Sequence, residues 1–261
     1  MDQSPEDKTD TSALRQASQE QDQLRAALQQ RTAELEVLNK ELEGLAYSIS
    51  HDLRAPLRHI DAFATLLEKE AGPALSKEAK GFLDIILQSA HSMSNLLDHL
   101  LAFSRLSRAE LFPQTVDLNA ALEDVVNKLS WENQGRNMVW KKHRLPQVCG
   151  DPAMLQQVLT HLISNAIKFT RDRNPAEIEI GCREDSAEVI VFVRDNGVGF
   201  DMQYADKLFG IFQRLHRAEE YEGVGLGLAS ARRIIAQHGG RTWAEAKVNR
   251  GATFYFSLPK Q

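Results

Sequence analysis

The chain has 261 residues, 43% of them hydrophobic and 26% charged, with a formal net charge of −5. That length holds one large or two modest domains with a sizeable core, and the acidic balance excludes a general nucleic-acid binder. No apolar run approaches the roughly 18 residues of a membrane span, the polar, acidic start is unlike a secretory signal, and Cys149 and Cys182 lack metal-ligand spacing and read as buried thiols in a reducing, cytoplasmic compartment.

Residues 1–12 are polar and aperiodic, and disorder is expected there. A coiled-coil helix is expected over 13–48. Leu24, Leu28, Arg31, Leu35, Leu38, Leu42, Leu45 and Ile49 recur in steps of four and three, and only Arg31 interrupts the apolar seam. No later segment is long enough to cover residues 14–45, so the expected cover is a second copy of the chain in a parallel homodimer. The alternative is a long helix packed on its own domain.

The stripe continues through Leu53, Leu57, Ile60, Phe63 and Leu67, which leaves His51 off the seam and facing solvent. His51 stands in Ser50-His51-Asp52-Leu53-Arg54-Ala55-Pro56. Pro56 has no N–H for the Asp52 carbonyl, so a kink or a loosened turn is expected beside His51. Ala71-Gly72-Pro73 ends this helix, and a second is expected from Ser76 to Leu106. Its apolar residues Phe82, Ile85, Ile86, Met93, Leu96, Leu97, Leu100 and Phe103 are assigned to one face. The two helices make a hairpin over 49–110, and two hairpins from two chains would make a four-helix bundle.

Pro113 marks a change of texture, and an α/β sandwich is expected over 113–261. Asn119 reads as the N-cap of a helix reaching Asn133, and Met138-Val139-Trp140 as a strand. Asp151-Pro152 starts a helix with Leu155, Val158, Leu159, Leu162, Ile163, Ala166 and Ile167 on its apolar face. Strands follow at Ile178–Cys182 and Val189–Val193, then an aperiodic stretch from Asp195 to Gly223 that reads as a mobile lid. A helix from Gly225 to His238 and strands at Thr242–Ala246 and Thr253–Leu258 complete the sheet. Trp131 and Trp140 read as packing residues.

Three segments carry chemistry. Asn165 offers a hard amide oxygen suited to Mg²⁺, with Lys168 beside it, although a helix-terminal asparagine is also a common cap. Asp195-Asn196-Gly197-Val198-Gly199 follows a hydrophobic strand; its carboxylate can accept from an exocyclic amine, and a hairpin turn fits it equally well. Gly223-Val224-Gly225-Leu226-Gly227 precedes a helix whose N-terminal N–H groups favour phosphate. It does not match the dinucleotide fingerprint. The order and spacing of the three together are far more specific than any one of them.

Those segments resemble the transmitter module of a sensor histidine kinase, of the sort attached to bacterial phytochromes, over most of the chain from Leu35 to Pro259. The matching boxes are Ser50–Pro56, His161–Thr170, Asp195–Gly199, Phe209-Gly210-Ile211-Phe212 and Gly223–Gly227, with Gly251-Ala252-Thr253-Phe254 at the end. The resemblance implies a Bergerat-type ATP fold over 113–261 and binding of ATP with Mg²⁺. It implies that His51 accepts the γ-phosphoryl group and that Asp52 orients and deprotonates the imidazole. It implies Asn165 as Mg²⁺ ligand, Lys168 near the phosphates, Asp195 as adenine contact, Gly197 and Gly199 as nucleotide-binding glycines, and Thr253 near the adenine edge. Phe209 and Phe212 would anchor a lid, and Gly223, Gly225 and Gly227 would meet the phosphates. His161 departs from the usual asparagine, and no carboxylate there means no obvious base for simple ATP hydrolysis. Ala55 stands where many members have a polar residue that positions water for phosphatase action.

The expected function is therefore a dimeric, cytoplasmic histidine kinase output module that receives a signal from an upstream sensor and passes phosphate to an aspartate of a response regulator. The regulator would dock near Arg54 and Arg58. Net phosphatase action on that regulator and a non-catalytic dimeric scaffold are the alternatives. The histidines at 59, 91, 99, 143, 216 and 238 read as surface or packing residues.

Overall fold

A computed structural model describes residues 5–106, 109–133, 135–215 and 220–260, with side chains before Tyr47 described at only some positions. Helix α1 spans Pro5–Ala71, 67 residues, or about 100 Å at 1.5 Å per residue. The helix runs from Pro5, within the stretch where the sequence leads one to expect disorder. Residues 1–4 lie outside the described set, as do the seam side chains of Leu35, Leu38, Leu42 and Leu45. The described seam residues Leu24, Leu28 and Ile49 are exposed within one chain. The helix runs unbroken through Pro56, so the missing N–H is accommodated without interrupting it.

Helix α2 spans Lys77–Leu106, and the Ser76 hydroxyl caps its start by accepting from the Ala79 N–H at 3.1 Å. The hairpin closes through rows at heptad spacing: Ser50, Leu57 and Ala64 on α1, and Leu83, Ala90, Leu97 and Ser104 on α2, are all buried. Two cross-helix pairs set the antiparallel register, Arg54–Asp98 at 2.7 Å and His91–Asp61 at 3.0 Å. The face assigned to α2 is thereby corrected: only Leu97 of that set joins the buried row, while Phe82, Ile85, Ile86, Met93 and Leu96 point outward. With Leu53, Ile60, Phe63 and Leu67 of α1 they form an uncovered apolar face along the hairpin, with Phe63 70% and Phe82 67% exposed.

Strand β1 (Gln114–Asp117) leads directly into α3 (Leu118–Glu132). The N-cap is Asp117, which accepts from the Asn119 N–H at 2.9 Å, and not Asn119 as expected. Asn119 instead pins the following loop, donating to the Leu145 carbonyl at 2.6 Å and accepting its N–H at 2.8 Å. Strands β2 (Met138–Lys142) and β3 (Gln147–Gly150) follow, then α4 (Pro152–Phe169), capped by Asp151 with Pro152 in the first turn as the sequence predicts. Strands β4 (Ala176–Glu184) and β5 (Glu188–Asp195), helix α5 (Gly227–Gln237), and strands β6 (Thr242–Lys247) and β7 (Gly251–Pro259) complete the domain. The sheet order is β2-β4-β5-β7-β6, with β2 parallel to β4 and the remaining pairs antiparallel. The β1–β3 ladder forms a separate two-stranded sheet that the sequence reading lacked.

The core lies between the sheet and its helices. Leu155, Val158, Leu159 and Ile163 of α4 meet Ile178, Ile180, Val191, Val193 and Phe256, all buried. His238 locks two helices together, its Nδ1 2.7 Å from the Ile234 carbonyl and its Nε2 2.9 Å from the Asp151 N–H. Nδ1 must therefore donate and Nε2 accept. His238→Ala is expected to leave the Asp151 N–H without its acceptor and to cost about 1–3 kcal/mol in denaturant unfolding. Trp131 is 76% exposed, contrary to expectation, whereas Trp140 packs against the core. Cys149 and Cys182 are free and half-buried, not buried. Burial and the nearby Glu184 raise the Cys182 thiol, which keeps it protonated and inert.

Candidate functional site

His51 lies where the seam geometry predicts, on the solvent side of α1, with 73% of its side chain exposed. Its Nδ1 is 3.2 Å from an Asp52 carboxylate oxygen. With the ring proton on Nδ1, the carboxylate fixes the tautomer and Nε2 carries the free lone pair. Such an imidazole is a nucleophile at neutral pH.

A cavity of about 240 Å³ opens at one edge of the helix layer. Seven of the residues singled out in the sequence line it: Asn165, Lys168, Asp195, Gly199, Gly223, Gly225 and Gly227. One end is set by Asp195, the last residue of β5. Its side chain is only 4% exposed, and Oδ1 accepts from the Gly197 N–H at 2.8 Å and the Ala252 N–H at 3.3 Å. Burial raises this carboxyl to about 6 against the pull of those two donors. It is thus ionised at neutral pH, and both donors use Oδ1, which leaves Oδ2 for an amine entering the cavity.

The opposite end is electropositive. The N-terminus of α5 has no side-chain cap, so its first N–H groups are open to a ligand. Lys168 and Arg214 line the same end. Burial lowers the Lys168 ammonium, the Arg214 charge lowers it further, and Glu222 opposes both. Gly225 has φ +76, and a Cβ there would sit 2.8 Å from the Gln213 carbonyl; only glycine gives this loop its course. The Phe212 N–H donates to the Gly225 carbonyl at 3.1 Å, tying the lid segment to the glycine loop.

Between the two ends stand His161 and Asn165, one helical turn apart on α4. Burial pushes the His161 imidazole down to about 4, with a smaller contribution from His99, so it is neutral and a weak base at physiological pH. Among the described residues no three carboxylate, imidazole or thiolate groups converge. The Asn165 side chain offers the cavity one hard amide oxygen.

Two family models match. The phosphoacceptor "His Kinase A" domain matches residues 41–109, and the "histidine kinase-, DNA gyrase B-, and HSP90-like ATPase" domain matches residues 150–261. The chain belongs to the histidine kinase family. This histidine kinase is 37% identical over 234 residues to cyanobacterial phytochrome A of Nostoc sp., covering 89% of the chain and 30% of that protein. It is 36% identical over 233 residues to the methanogenesis regulatory histidine kinase FilI of Methanothrix harundinacea, covering 89% of the chain and 26% of that protein. The chain thus spans less than a third of the length of these curated relatives. Its fold matches full-length ShkA in complex with AMPPNP with a TM-score of 0.61 and 26% identity, over 82% of this chain and 45% of that one.

Four of the expected site residues do not line the cavity of this histidine kinase. Thr253 does not face the cavity; its neighbours Ala252 and Phe254 do. Alternation along β7 turns Thr253 to the other face of the sheet, where Arg194 donates to its hydroxyl at 3.3 Å. Gly197 supports Asp195 through its N–H without lining the cavity. Phe209 is a buried core residue, and Phe212 (φ 59) leaves its ring exposed and ties the lid through backbone alone. The lid segment also contains a short 3-10 helix, Met202–Lys207, capped by Asp201; His216 lies outside the described residues. His91 is an exposed surface residue, as expected, and pairs with Asp61 across the hairpin. His99, Arg214 and Tyr221 line the cavity without any local sequence signal. Their contribution comes from packing between segments far apart in the chain.

Proposed function

We propose that this histidine kinase binds ATP with Mg²⁺ in the cavity and transfers the γ-phosphoryl group to His51. The observation that carries this reading is the pairing of a solvent-facing imidazole, held at Nδ1 by Asp52, with a nucleotide-sized cavity in the same chain. Asp195 accepts the adenine amine, while the α5 N-terminus, Lys168 and Arg214 receive the phosphates. Asn165 would hold Mg²⁺, which neutralises charge on the transferring phosphoryl oxygens. The His51 Nε2 lone pair forms the N–P bond, the bond from the γ-phosphorus to the β,γ-bridging oxygen breaks, and ADP leaves. Asp52 takes up the Nδ1 proton's charge as it develops. Neutral His161 has too little basicity to activate water, which favours transfer over hydrolysis.

The active unit is a homodimer in the cytoplasm, its four-helix bundle closed over the outward apolar face. Phe63→Glu with Ile85→Glu is expected to convert the dimer to monomer at micromolar concentration in light scattering, since each change buries a charge in the joint. A sensor segment of the longer protein supplies the signal through α1, and an aspartate of a response regulator receives the phosphate near Arg54 and Arg58. Ala55 offers no polar group to position water, so net phosphatase action is disfavoured. The open cavity argues against a dead scaffold.

The test is incubation of the chain with γ-labelled ATP and Mg²⁺. Acid-labile, alkali-stable label mapping to His51 is expected. Phosphate release with no label retained on the chain would overturn the reading.

A further inference from the structure

His99 belongs to α2 of the hairpin, yet it lines the cavity of the ATP domain. Its place in the cavity is set by its neighbours. His161 faces Gly227 at the start of α5, where a Cβ on Gly227 would lie 3.2 Å from the His161 Nδ1. His99 is close enough to His161 for the two imidazoles to interact electrostatically. His99 therefore lies on the His161 side of the cavity wall. The seat of α2 on this domain is defined by further contacts: the Gln237 side chain donates to the Leu106 carbonyl at 2.8 Å, and the Arg233 guanidinium lies 5.1 Å over the Phe103 ring.

The ring orientation is also fixed. The His99 Nδ1 is 2.7 Å from the Asn95 carbonyl oxygen, so Nδ1 carries a proton and donates. Nε2 is the remaining nitrogen. Its neighbour Asp98 is bridged to Arg54 at 2.7 Å, and Arg54 is three residues, one turn, from His51. The hairpin thus presents His99 to the cavity at a level within about a turn of His51.

We propose that His99 is a nucleotide-binding residue supplied by the hairpin, its Nε2 meeting the terminal phosphate of ATP. This rests on the ATP reading above and deepens it. With Nδ1 engaged by the Asn95 carbonyl, Nε2 reaches a phosphate oxygen through a bridging water that donates to both. Lys168 on α4 and Arg214 in the lid are the basic groups that line the cavity with His99, beside neutral His161, and Glu222 opposes their charge. The contact exists only while the third phosphate is present. The hairpin therefore grips ATP and releases ADP, and it holds the terminal phosphate at the level of the acceptor helix.

The test is calorimetric titration of the full chain with Mg·ATP and with Mg·ADP, for the wild type, His99→Ala and His99→Gln. His99→Ala is expected to weaken ATP by about tenfold, the size of one water-bridged hydrogen bond to a charged group, and ADP by less than about twofold. His99→Gln, which keeps an acceptor for that water, is expected to recover part of the ATP affinity. Equal losses for ATP and ADP, or no loss for either, would overturn the proposal. A wild type that binds neither nucleotide would instead sink the ATP reading itself, so the two failures are distinct.

Discussion

Replacing Asp195 with asparagine is expected to weaken ATP binding by about a hundredfold or more while making the unliganded chain more stable at pH 7.5. The first effect follows from the change of an acceptor into a donor opposite the adenine amine, which leaves two donors facing each other in a dry site. The second follows from burial. The folded carboxyl titrates at about 6, above its ordinary value of 3.8. A group raised in the folded state contributes its full stability below the unfolded value and loses it as pH rises through the folded one. Ionised Asp195 therefore costs the apo fold about 1–3 kcal/mol at pH 7.5, after allowance for its two N–H donors. Asparagine removes that cost and keeps an oxygen for Gly197 and Ala252. Thermal melts of both chains should differ by several degrees at pH 7.5 and converge near pH 4. A melt difference independent of pH would show that the carboxyl charge is not its source. For the same reason, wild-type ATP affinity should fall as pH drops through about 6.

His51→Gln separates acceptor from nucleotide site. Its side chain is 73% exposed and makes no core contact, so the fold and the ATP affinity are expected to be unchanged within about twofold. Label from γ-labelled ATP should fall by ~10³-fold or more, because no other group replaces the imidazole as nucleophile. Asp52→Asn keeps the oxygen beside Nδ1 but removes the charge, and a loss of about a hundredfold in transfer rate is expected. Label surviving in His51→Gln would move the acceptor elsewhere.

Much of this site was legible because it rests on local rules. The position of His51 followed from the heptad phase, since a residue off an apolar seam faces water. The start of α4 followed from Asp151-Pro152, whose cap and fixed φ act within one turn. The glycine boxes announced loops that only glycine can trace, and Gly225 at φ +76 is one such place. What failed did so by small amounts with large consequences. Placing Thr253 at the cavity instead of Ala252 is a slip of one residue, and in a strand one residue exchanges the two faces. Choosing Asn119 as the cap missed by two residues, because either side chain can cap and only the loop at Leu145 claims Asn119.

The helix faces divide the same way. Apolar spacing alone puts one apolar stripe on α1 and one on α2, but it does not say which residues meet the hairpin partner and which remain for another chain. The ion pairs Arg54–Asp98 and His91–Asp61 settle that register across about forty and thirty residues of sequence.

Periodicity and caps thus determined by themselves that this chain is a long helix, a hairpin and an α/β domain with His51 turned to solvent, and the resemblance carried by the glycine boxes implied the nucleotide site. Only the tertiary structure decided the strand order, the facing of Ala252, the electropositive end made by Lys168 with Arg214, and the entry of His99 into the cavity. The physical reason is range. Backbone propensities and seam phase act over a turn or a pleat, whereas a cavity wall is assembled from side chains that meet only after distant segments have packed.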